Sequence, residues 1–286
     1  MKVAYLIRAH HAPSLLERLV RRLAGPEAGV FIHVSRTAED PVYDEMVTRL
    51  RDVDGVEWLP RRTCRYGGFS LVEATLAGID AILASGLRPG HTLLLSGQDY
   101  PLRPRPDIEA FLERAGDRSF VHHYRLPTAD WREEDGGLDR IRYIHFERAR
   151  VRTRLLRLPL IRRRFPEGYE PYGGSAFWGL AEPALDYVRH FVRENPGFVR
   201  FFRHVLIPDE IFFQTILLNS PLRDSMLNEQ LHYVDWSGGG AHPATLRAAD
   251  VERALASGKL FARKFDPSDT EALDLVDRTA AVGDRT

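Results

Sequence analysis

The sequence contains a single cysteine, Cys64, among 286 residues. One cysteine can form neither an internal disulfide nor a cysteine-based zinc site, so packing has to hold the fold together, and a reducing compartment suits the chain. No stretch approaches the roughly 18 uncharged apolar residues of a membrane span. The short apolar run at the start is interrupted by Arg8, unlike the apolar region of a signal peptide, and we therefore expect a cytoplasmic protein.

An excess of charge of either sign is also missing, because 40 lysines and arginines balance 40 aspartates and glutamates. Without a net positive field, the chain is not expected to bind nucleic acid. One local cluster, from Arg148 to Arg164, holds eight arginines interspersed with leucines. Such a cluster can contact an anionic membrane surface, but we favour a solvated surface, since acidic residues from Glu133 to Asp139 offer a counter-charge.

Several catalytic signatures are absent. The sequence has no GxGxxG after a strand and no GxxxxGK, HExxH or GxSxG, which removes the main support for dinucleotide, P-loop, zinc-protease and serine-hydrolase chemistry. Its histidines include two adjacent pairs, His10 with His11 and His122 with His123, and adjacent residues on a strand point to opposite faces rather than toward one metal ion. A DxD pattern at Asp52 falls between a predicted helix and a predicted strand, so we interpret it as polar helix-end sequence.

The first hundred residues alternate short apolar runs with amphipathic segments, a pattern that predicts an α/β fold with parallel strands joined by crossover helices. The predicted strands are residues 3–7, 30–34, 56–59 and 92–95. The predicted helices between them are residues 14–23, 42–51 and 70–84.

The remainder of the chain mixes both element types. We predict helices over 106–114, 184–194, 209–218 and 248–256, strands over 119–124, 176–180 and 231–236, and long loops over 129–171. No repeat or low-complexity linker divides the chain, so one domain over residues 1–270 is expected, with a first half 1–125 and a second half 126–270. Residues 271–286 are predicted to form a frayed C-terminal tail.

The segment LLLSGQDYPL is a predicted buried strand that stops abruptly at polar residues. Ligands of open α/β sheets bind outside the carboxyl ends of the strands, where Ser96, Gly97, Gln98 and Asp99 would stand. The alternative is an ordinary turn in which Asp99 caps its own backbone.

Two further segments carry charged residues with open interpretations. Asp209 and Glu210 follow Pro208 at a predicted helix start, where carboxylates are typical caps but also stay ionised, as a general base must be. Arg263 and Lys264 stand in LFARKFD, where an extended backbone points them to opposite sides, and by themselves they are typical of surface cations.

Eight segments in this order resemble the core-2/I-branching glycosyltransferase family, which includes β-1,6-N-acetylglucosaminyltransferases and peptide O-xylosyltransferases. The resemblance extends over residues 2–266. The segments are AYLIRAHHAP (4–13), VFIHVS (30–35), YGGFSLVEAT (66–75), LLLSGQDYPL (93–102), GGSAFW (173–178), PDEIFFQTILLNS (208–220), YVDW (233–236) and LFARKFD (260–266).

The resemblance implies a single-domain nucleotide-sugar-binding fold of the GT-A type, with the donor held by the first half and the acceptor and catalytic groups by the second. It implies an inverting transfer of N-acetylglucosamine or xylose from a UDP-sugar to a hydroxyl on a glycan, peptide or small molecule, with no metal or other cofactor. Within it, Glu210 corresponds to the family's general base and Lys264 to a lysine that neutralises the departing diphosphate.

The strand-end position and the resemblance together assign the remaining candidate residues. The donor side comprises Arg8, Ala9, His10, Ser35, Tyr66, Gly97, Asp99, Arg263 and Lys264, and the acceptor side Ser96, Gly174, Ser175 and Trp236.

The sequence departs from the family at the donor site. Ser35 replaces an aspartate near the uracil, and Tyr66 replaces a tryptophan. Ala244 stands where a second cation is expected, which leaves Arg247, Arg263 or no residue in that role. For Trp236 the alternative to an acceptor contact is a buried core position.

Two other functions remain open from the residues alone. A sugar-1-phosphate nucleotidyltransferase would need a glycine-rich basic loop after the first strand, and RAHHAP supplies none. A non-catalytic nucleotide- or carbohydrate-binding module would have no turnover that depends on Glu210.

Overall fold

The computed structural model describes residues 2–131, 135–146, 156–239 and 242–283. Its strands are β1 (Val3–Ala9), β2 (Ala28–Val34), β3 (Val56–Trp58), β4 (His91–Ser96), β5 (Tyr100–Pro101), β6 (Ser119–Phe120), β7 (His123–Arg125), β8 (Tyr143–Phe146), β9 (Leu156–Arg162), β10 (Tyr172–Gly174), β11 (Gly179–Ala181), β12 (Met226–Leu227), β13 (His232–Val234) and β14 (Phe261–Arg263).

The helices are α1 (Pro13–Leu23), α2 (Asp40–Leu50), α3 (Ser70–Ala84), α4 (Arg105–Ala115), α5 (Leu138–Arg142), α6 (Glu182–Glu194), α7 (Pro196–Phe202), α8 (Phe212–Leu218), α9 (Ala248–Ala256) and α10 (Thr270–Gly283). Two single 3₁₀ turns cover Pro208–Glu210 and Arg223–Ser225.

The central sheet has seven strands in the order β12-β6-β11-β4-β1-β2-β3. β1 pairs in parallel with β2 on one side and β4 on the other, and β11 is the antiparallel member, paired with both β4 and β6. The α/β class with a mostly parallel sheet flanked by helices, predicted from the alternation of patterns, is confirmed.

Side chains of β1 alternate between two cores on opposite faces of the sheet. Val3, Tyr5 and Ile7 enter one core, which the apolar face of α1 covers, whereas Ala4 and Leu6 enter the other, beneath α3 and α6. The parallel register aligns the carboxyl ends of β1, β2 and β4, so the loops that follow these strands meet at one edge.

Two sequence predictions are wrong. The stretch 129–171 was expected to be loops, yet it contains α5 and the antiparallel hairpin β8–β9. The C-terminal segment was expected to be frayed, yet it forms α10, whose Ala272, Leu273 and Val276 are buried against the first core. In both places a charge-rich sequence contains regular secondary structure, and α10 is held by its packing on the first core.

Two smaller corrections concern element bounds. The single strand predicted over 119–124 is divided into β6 and β7, which belong to different sheets. The helix predicted over 209–218 begins as the 3₁₀ turn Pro208–Glu210 and continues as α8. Residues 147–155, which hold four of the eight arginines of the cluster from Arg148 to Arg164, lie outside the described residues.

Within the described ranges, no helix combines the length and apolar character needed to cross a bilayer.

Candidate active site

A pocket of about 290 Å³ opens at the carboxyl edge of β1 and β2. It is lined by Arg8, Ala9, His10, His33, Ser35, Thr37, Cys64, Tyr66 and Leu71. Five predicted donor-side residues are therefore brought together, namely Arg8, Ala9, His10, Ser35 and Tyr66. They meet because parallel neighbours end at the same edge, with Ala9 opposite Val34 in the register.

The Ser35 hydroxyl connects residues that line this pocket. Its hydroxyl is 2.8 Å from the Thr37 hydroxyl and accepts hydrogen bonds from the Thr37 and Cys64 backbone amides at 3.2 and 3.1 Å. The serine that replaces the family's aspartate is thus tied to the segment before α3.

His33 is a pocket residue that the sequence analysis missed. Burial, with the nearby charges of Arg8 and Arg62, lowers its pKa to about 4, and its Nε2 accepts a hydrogen bond from the Arg62 amide at 3.1 Å. The imidazole is therefore neutral near pH 7. Its position opposite Arg8 in the β1–β2 register was the available signal.

The expectation that His10 and His11 point to opposite faces is wrong. Both lie beyond the end of β1, and their rings stack with centroids 4.1 Å apart. Burial and the neighbouring His11 lower the pKa of His10. Among the described residues, no three His, Cys, Asp or Glu side chains are grouped so that they could hold a metal ion.

Arg8 connects the pocket to the turn that carries the two candidate carboxylates. One guanidinium nitrogen is 3.5 Å from Asp209 Oδ2, and another donates to the Leu71 carbonyl at 3.4 Å. Both side chains of the Arg8–Asp209 pair are almost completely buried, so the ion pair is only weakly screened by solvent. Asp209 is consequently a partner of Arg8 in this structure.

Glu210 lies on the same turn. Its Oε2 accepts a hydrogen bond from Nη1 of Arg140 at 2.7 Å, and the Glu210 side chain is 31% exposed. Partial burial raises the pKa of the Tyr66 phenol, and the charges of Glu210 and Asp209 raise it further. Tyr66 also lines the pocket, so the charge of Glu210 acts on one of the pocket residues.

Asp99 was predicted to contact the donor, and this prediction is corrected by its burial. The carboxylate is fully buried and accepts hydrogen bonds from the Ser96 amide and hydroxyl at 2.8 and 2.7 Å, from His232 at 3.1 Å and from Arg263 at 3.0 Å. Burial favours a higher pKa, but Arg263 and His232 outweigh it and hold the pKa at about 2. Asp99 orients these neighbours from beneath the surface.

Arg263, the last residue of β14, contacts this carboxylate, and Lys264 follows it in the chain. The Arg263 guanidinium carbon is 4.3 Å from the centroid of the Phe177 ring, and the Arg8 guanidinium carbon is 5.8 Å from the same centroid. Phe177 therefore places the two arginines on one side of the molecule. Burial and the charge of Arg263 lower the pKa of Lys264, whose ammonium makes no ion pair within the described residues.

Arg247, the other candidate for the second cation, is held elsewhere. Its guanidinium is 3.4 Å from Asp269, and it occupies the N-cap position of α9, where its backbone amide donates to Asp250. Of the two alternatives, Arg263 is the one that lies next to Lys264 and Phe177.

The acceptor-side predictions have mixed outcomes. Trp236 is 51% exposed, which excludes the alternative of a core tryptophan. A Cβ at Gly174 would overlap the His122 carbonyl, so this glycine is required by the close approach of β10 to β7. The Ser175 carbonyl accepts from Gln214 of α8 at 2.6 Å, whereas the Ser96 hydroxyl is used by Asp99.

Gly97 does not line the pocket. Its amide donates to the Arg8 carbonyl at 2.9 Å, and a Cβ there would press on Ala9 at 3.2 Å. Gly97 therefore lets the chain after β4 pack closely against the end of β1.

The family model described as Core-2/I-Branching enzyme matches residues 3–257. The chain belongs to the core-2/I-branching enzyme family. The resemblance carried by the eight segments is thereby confirmed.

The curated relatives of this family member include several xylosyltransferases. Xylosyltransferase 2 of Rattus norvegicus is 28% identical over 97% of this chain and 33% of its own length. Xylosyltransferase oxt of Drosophila pseudoobscura pseudoobscura is 26% identical over 96% of this chain and 32% of its own length. The chain spans about a third of the length of these relatives.

Solved structures are more distant. Mouse xyloside xylosyltransferase 1 in its apo form is 12% identical, with a TM-score of 0.39 over 91% of this chain and 97% of that one. A putative glucose-1-phosphate thymidylyltransferase from Bacillus anthracis, in complex with a sucrose, is 12% identical, with a TM-score of 0.30 over 65% of this chain and 74% of that one. Both similarities are too low to support a structural argument.

Proposed function

We propose that this family member is an inverting glycosyltransferase that moves xylose or N-acetylglucosamine from a UDP-sugar to an acceptor hydroxyl without a metal ion. Family membership supports glycosyl transfer, and the names of the curated relatives favour xylose. The observation that carries the proposal is Glu210, a partly exposed carboxylate whose charge acts on Tyr66, a residue of the pocket that Arg8 and Ser35 also line.

In the proposed reaction, Glu210 accepts the proton of the acceptor hydroxyl as its oxygen attacks the anomeric carbon. The new glycosidic bond forms on the face opposite the diphosphate while the bond from that carbon to the diphosphate oxygen breaks, which inverts the configuration. UDP departs with the electron pair. A positioned general base of this kind contributes about 10² to 10⁴ in rate.

The departing diphosphate needs fixed positive charge where its own charge develops. We assign this role to Lys264, supported by Arg263, which Asp99 and Phe177 hold beside it. Burial and the charge of Arg263 lower the pKa of Lys264, and an incoming diphosphate would favour its charged form. The DxD aspartate Asp52 instead pairs with Arg21 at 2.9 Å on the surface.

Trp236 is proposed to support the acceptor. Its half-exposed indole can stack on the apolar face of a sugar or on a peptide side chain. The acceptor itself is proposed only as a hydroxyl-bearing glycan, peptide or small molecule. The cytoplasmic location and the lack of nucleic-acid binding stay predictions.

The decisive experiment replaces the base and leaves its size unchanged. Glu210→Gln should lower turnover of the preferred UDP-sugar by about 10² to 10⁴ because the amide cannot accept the proton. UDP affinity, measured by calorimetry, should stay within a few-fold of the parent. Turnover at the parent rate would refute the assignment of Glu210, and a parent chain without turnover on any UDP-sugar would favour a binding module.

A control variant tests whether the reaction requires a metal ion. Asp52→Asn removes a charge from the DxD pattern and should leave turnover unchanged, with or without a chelator, because Asp52 lies in a surface ion pair. Loss of activity in this variant, or in the parent chain after chelation and recovery with Mn²⁺, would contradict metal independence.

A further inference from the structure

Arg140, on the short helix α5, contacts the proposed base directly. Its side chain is only 10% exposed, and Nη1 donates to Glu210 Oε2 at 2.7 Å. A charge-assisted hydrogen bond of this length is stronger than a neutral one, and low exposure reduces its screening by water. The pair therefore fixes the orientation of the Glu210 carboxylate.

Trp131 in turn fixes the guanidinium. The Arg140 guanidinium carbon lies 4.0 Å from the centroid of the Trp131 ring system, within the range of a cation–π contact. Arginine is suited to this arrangement because its planar group stacks on a ring and still donates from its edge. Lysine offers the charge without the stacking plane.

Two glycines make room for the indole. A Cβ on Gly137 would overlap Cε3 and Cζ3 of Trp131, and a Cβ on Gly173 would overlap Cη2 and Cζ2 of the same ring. Gly137 also has a φ of 88°, which other residues rarely adopt. Gly173 belongs to β10 and to the GGSAFW segment. This family segment is distant in sequence from Trp131, yet it leaves the space that the indole occupies.

The backbone of Arg140 is joined to the chain that precedes the base. The Leu206 amide donates to the Arg140 carbonyl at 3.0 Å, and the turn Pro208–Glu210 follows shortly after. Arg140 thus holds both the backbone that leads to Glu210 and the Glu210 carboxylate.

We propose that Arg140 is the positioning residue of the catalytic base and that Trp131, seated on Gly137 and Gly173, holds Arg140 in place. This inference rests on the proposed role of Glu210. Arg140 keeps the carboxylate ionised and aimed at the acceptor hydroxyl. Its removal therefore lowers kcat more than it changes donor binding.

The charged and titratable groups around Glu210 set the expected pH dependence. Among the described residues, Arg140 on α5 contacts Glu210, Asp209 lies on the same turn and pairs with Arg8, and the charges of Glu210, Asp209, Arg140 and Arg263 all act on Tyr66. Asp209 is balanced by Arg8, and Arg140 contacts the base directly. Without Arg140, protonation of Glu210 becomes easier, and the acid limb of kcat/KM moves to higher pH.

The experiment measures kcat, donor KM and the pH profile for Arg140→Met, Arg140→Lys, Gly173→Ala and Glu210→Gln. Arg140→Met should lower kcat about 10²-fold, raise the acid limb by about one pH unit and change donor KM less than threefold. Arg140→Lys should lower kcat about tenfold with the acid limb unmoved, because the charge remains. Gly173→Ala, which displaces the indole, should resemble Arg140→Lys.

Arg18→Lys serves as the matched control. Arg18 also pairs with a carboxylate, Asp277 at 2.6 Å, and lies over a ring, Tyr100 at 6.0 Å, but it connects α1 to α10. The Arg18→Lys variant should have a lower melting temperature than the parent, with unchanged kcat and pH profile.

The outcomes separate the two proposals. Parent-like kcat and acid limb in Arg140→Met, with Glu210→Gln inactive, would overturn the role of Arg140 alone. An active Glu210→Gln would overturn the proposed function itself. If Arg140→Met does not fold, parent-like kcat in both Arg140→Lys and Gly173→Ala would overturn the positioning role.

Discussion

Asp99 shows how a single buried carboxylate can organise the cations of this site. Its oxygens receive hydrogen bonds from Ser96, His232 and Arg263, and the last of these places Arg263 against Phe177. A carboxylate buried without such partners would be costly, so the three donors and the acid depend on one another.

The burial of Asp99 gives a pH-dependent prediction. The pKa of Asp99 is held at about 2 in the folded chain, below its ordinary value of 3.8, so its contribution to stability is complete above about pH 4 and is lost as pH falls through 2. The contribution is on the order of 2 kcal/mol. Urea denaturation across this window should show a steeper fall in the free energy of unfolding for the parent than for Asp99→Asn. Parallel curves would contradict the shift.

The sequence indicated that Asp99 follows a strand at a ligand-binding edge, but not that it is buried. That information lies in His232 and Arg263, which are 133 and 164 residues away along the chain. Similarly, Glu210 was assigned from its segment, whereas Arg140 lies in a stretch without recognisable periodicity. The partners of a site residue are set by folding, and local sequence does not name them.

At the scale of elements, α10 attaches the C-terminal segment to the body of the fold. Its buried residues Leu273 and Val276 join the first core, and Asp277 accepts a hydrogen bond from Tyr100 at 2.9 Å. Burial and the charge of Asp277 raise the pKa of Tyr100 to about 12, so the phenol keeps its proton.

We predict that Leu273→Ala costs about 2 to 5 kcal/mol of unfolding free energy, because it leaves a cavity in a packed core. Turnover by the folded fraction at 25 °C should be unchanged, since α10 does not line the pocket. Denaturant unfolding and steady-state kinetics on the same preparation measure both. A loss below 0.5 kcal/mol would show that α10 frays in solution.

Helices and strands of the first hundred residues were predictable because each buries a regular face. α1 buries Leu15, Leu19 and Leu23 on one stripe, and β2 is buried at every position. The pair β8–β9 was missed although Leu156, Leu158 and Leu160 of β9 alternate with Arg157 and Pro159, because the surrounding arginine-rich sequence has no clear period. Apolar periodicity is clearest for elements that pack a regular face on the core, and a short strand within charged sequence is easily missed.

At the scale of the whole molecule, the central sheet joins both halves of the chain. β11 lies between β4 and β6, and β12 pairs with β6 at the edge, so residues after 170 complete a sheet that the first half begins. The boundary at residue 125 therefore separates a proposed donor side from a proposed acceptor side. It does not separate two folding units.

A single cooperative unfolding transition should follow. Tryptophan fluorescence and far-ultraviolet circular dichroism should give the same urea midpoint, because no large part of the sheet can unfold alone. The four tryptophans sample several regions of the chain. Two separated midpoints would show that the halves unfold independently.

The position of β11 in the sheet has a consequence for folding during synthesis on the ribosome. When β4 has emerged, the hydrogen-bonding partner for its open side is still to be made, and translation must reach Ala181 before that side is covered. At about 5 to 20 residues per second, the nascent chain waits for several seconds with one edge of the apolar strand β4 uncovered. During this interval, a chaperone or a neighbouring chain would compete with β11 for the uncovered edge of β4.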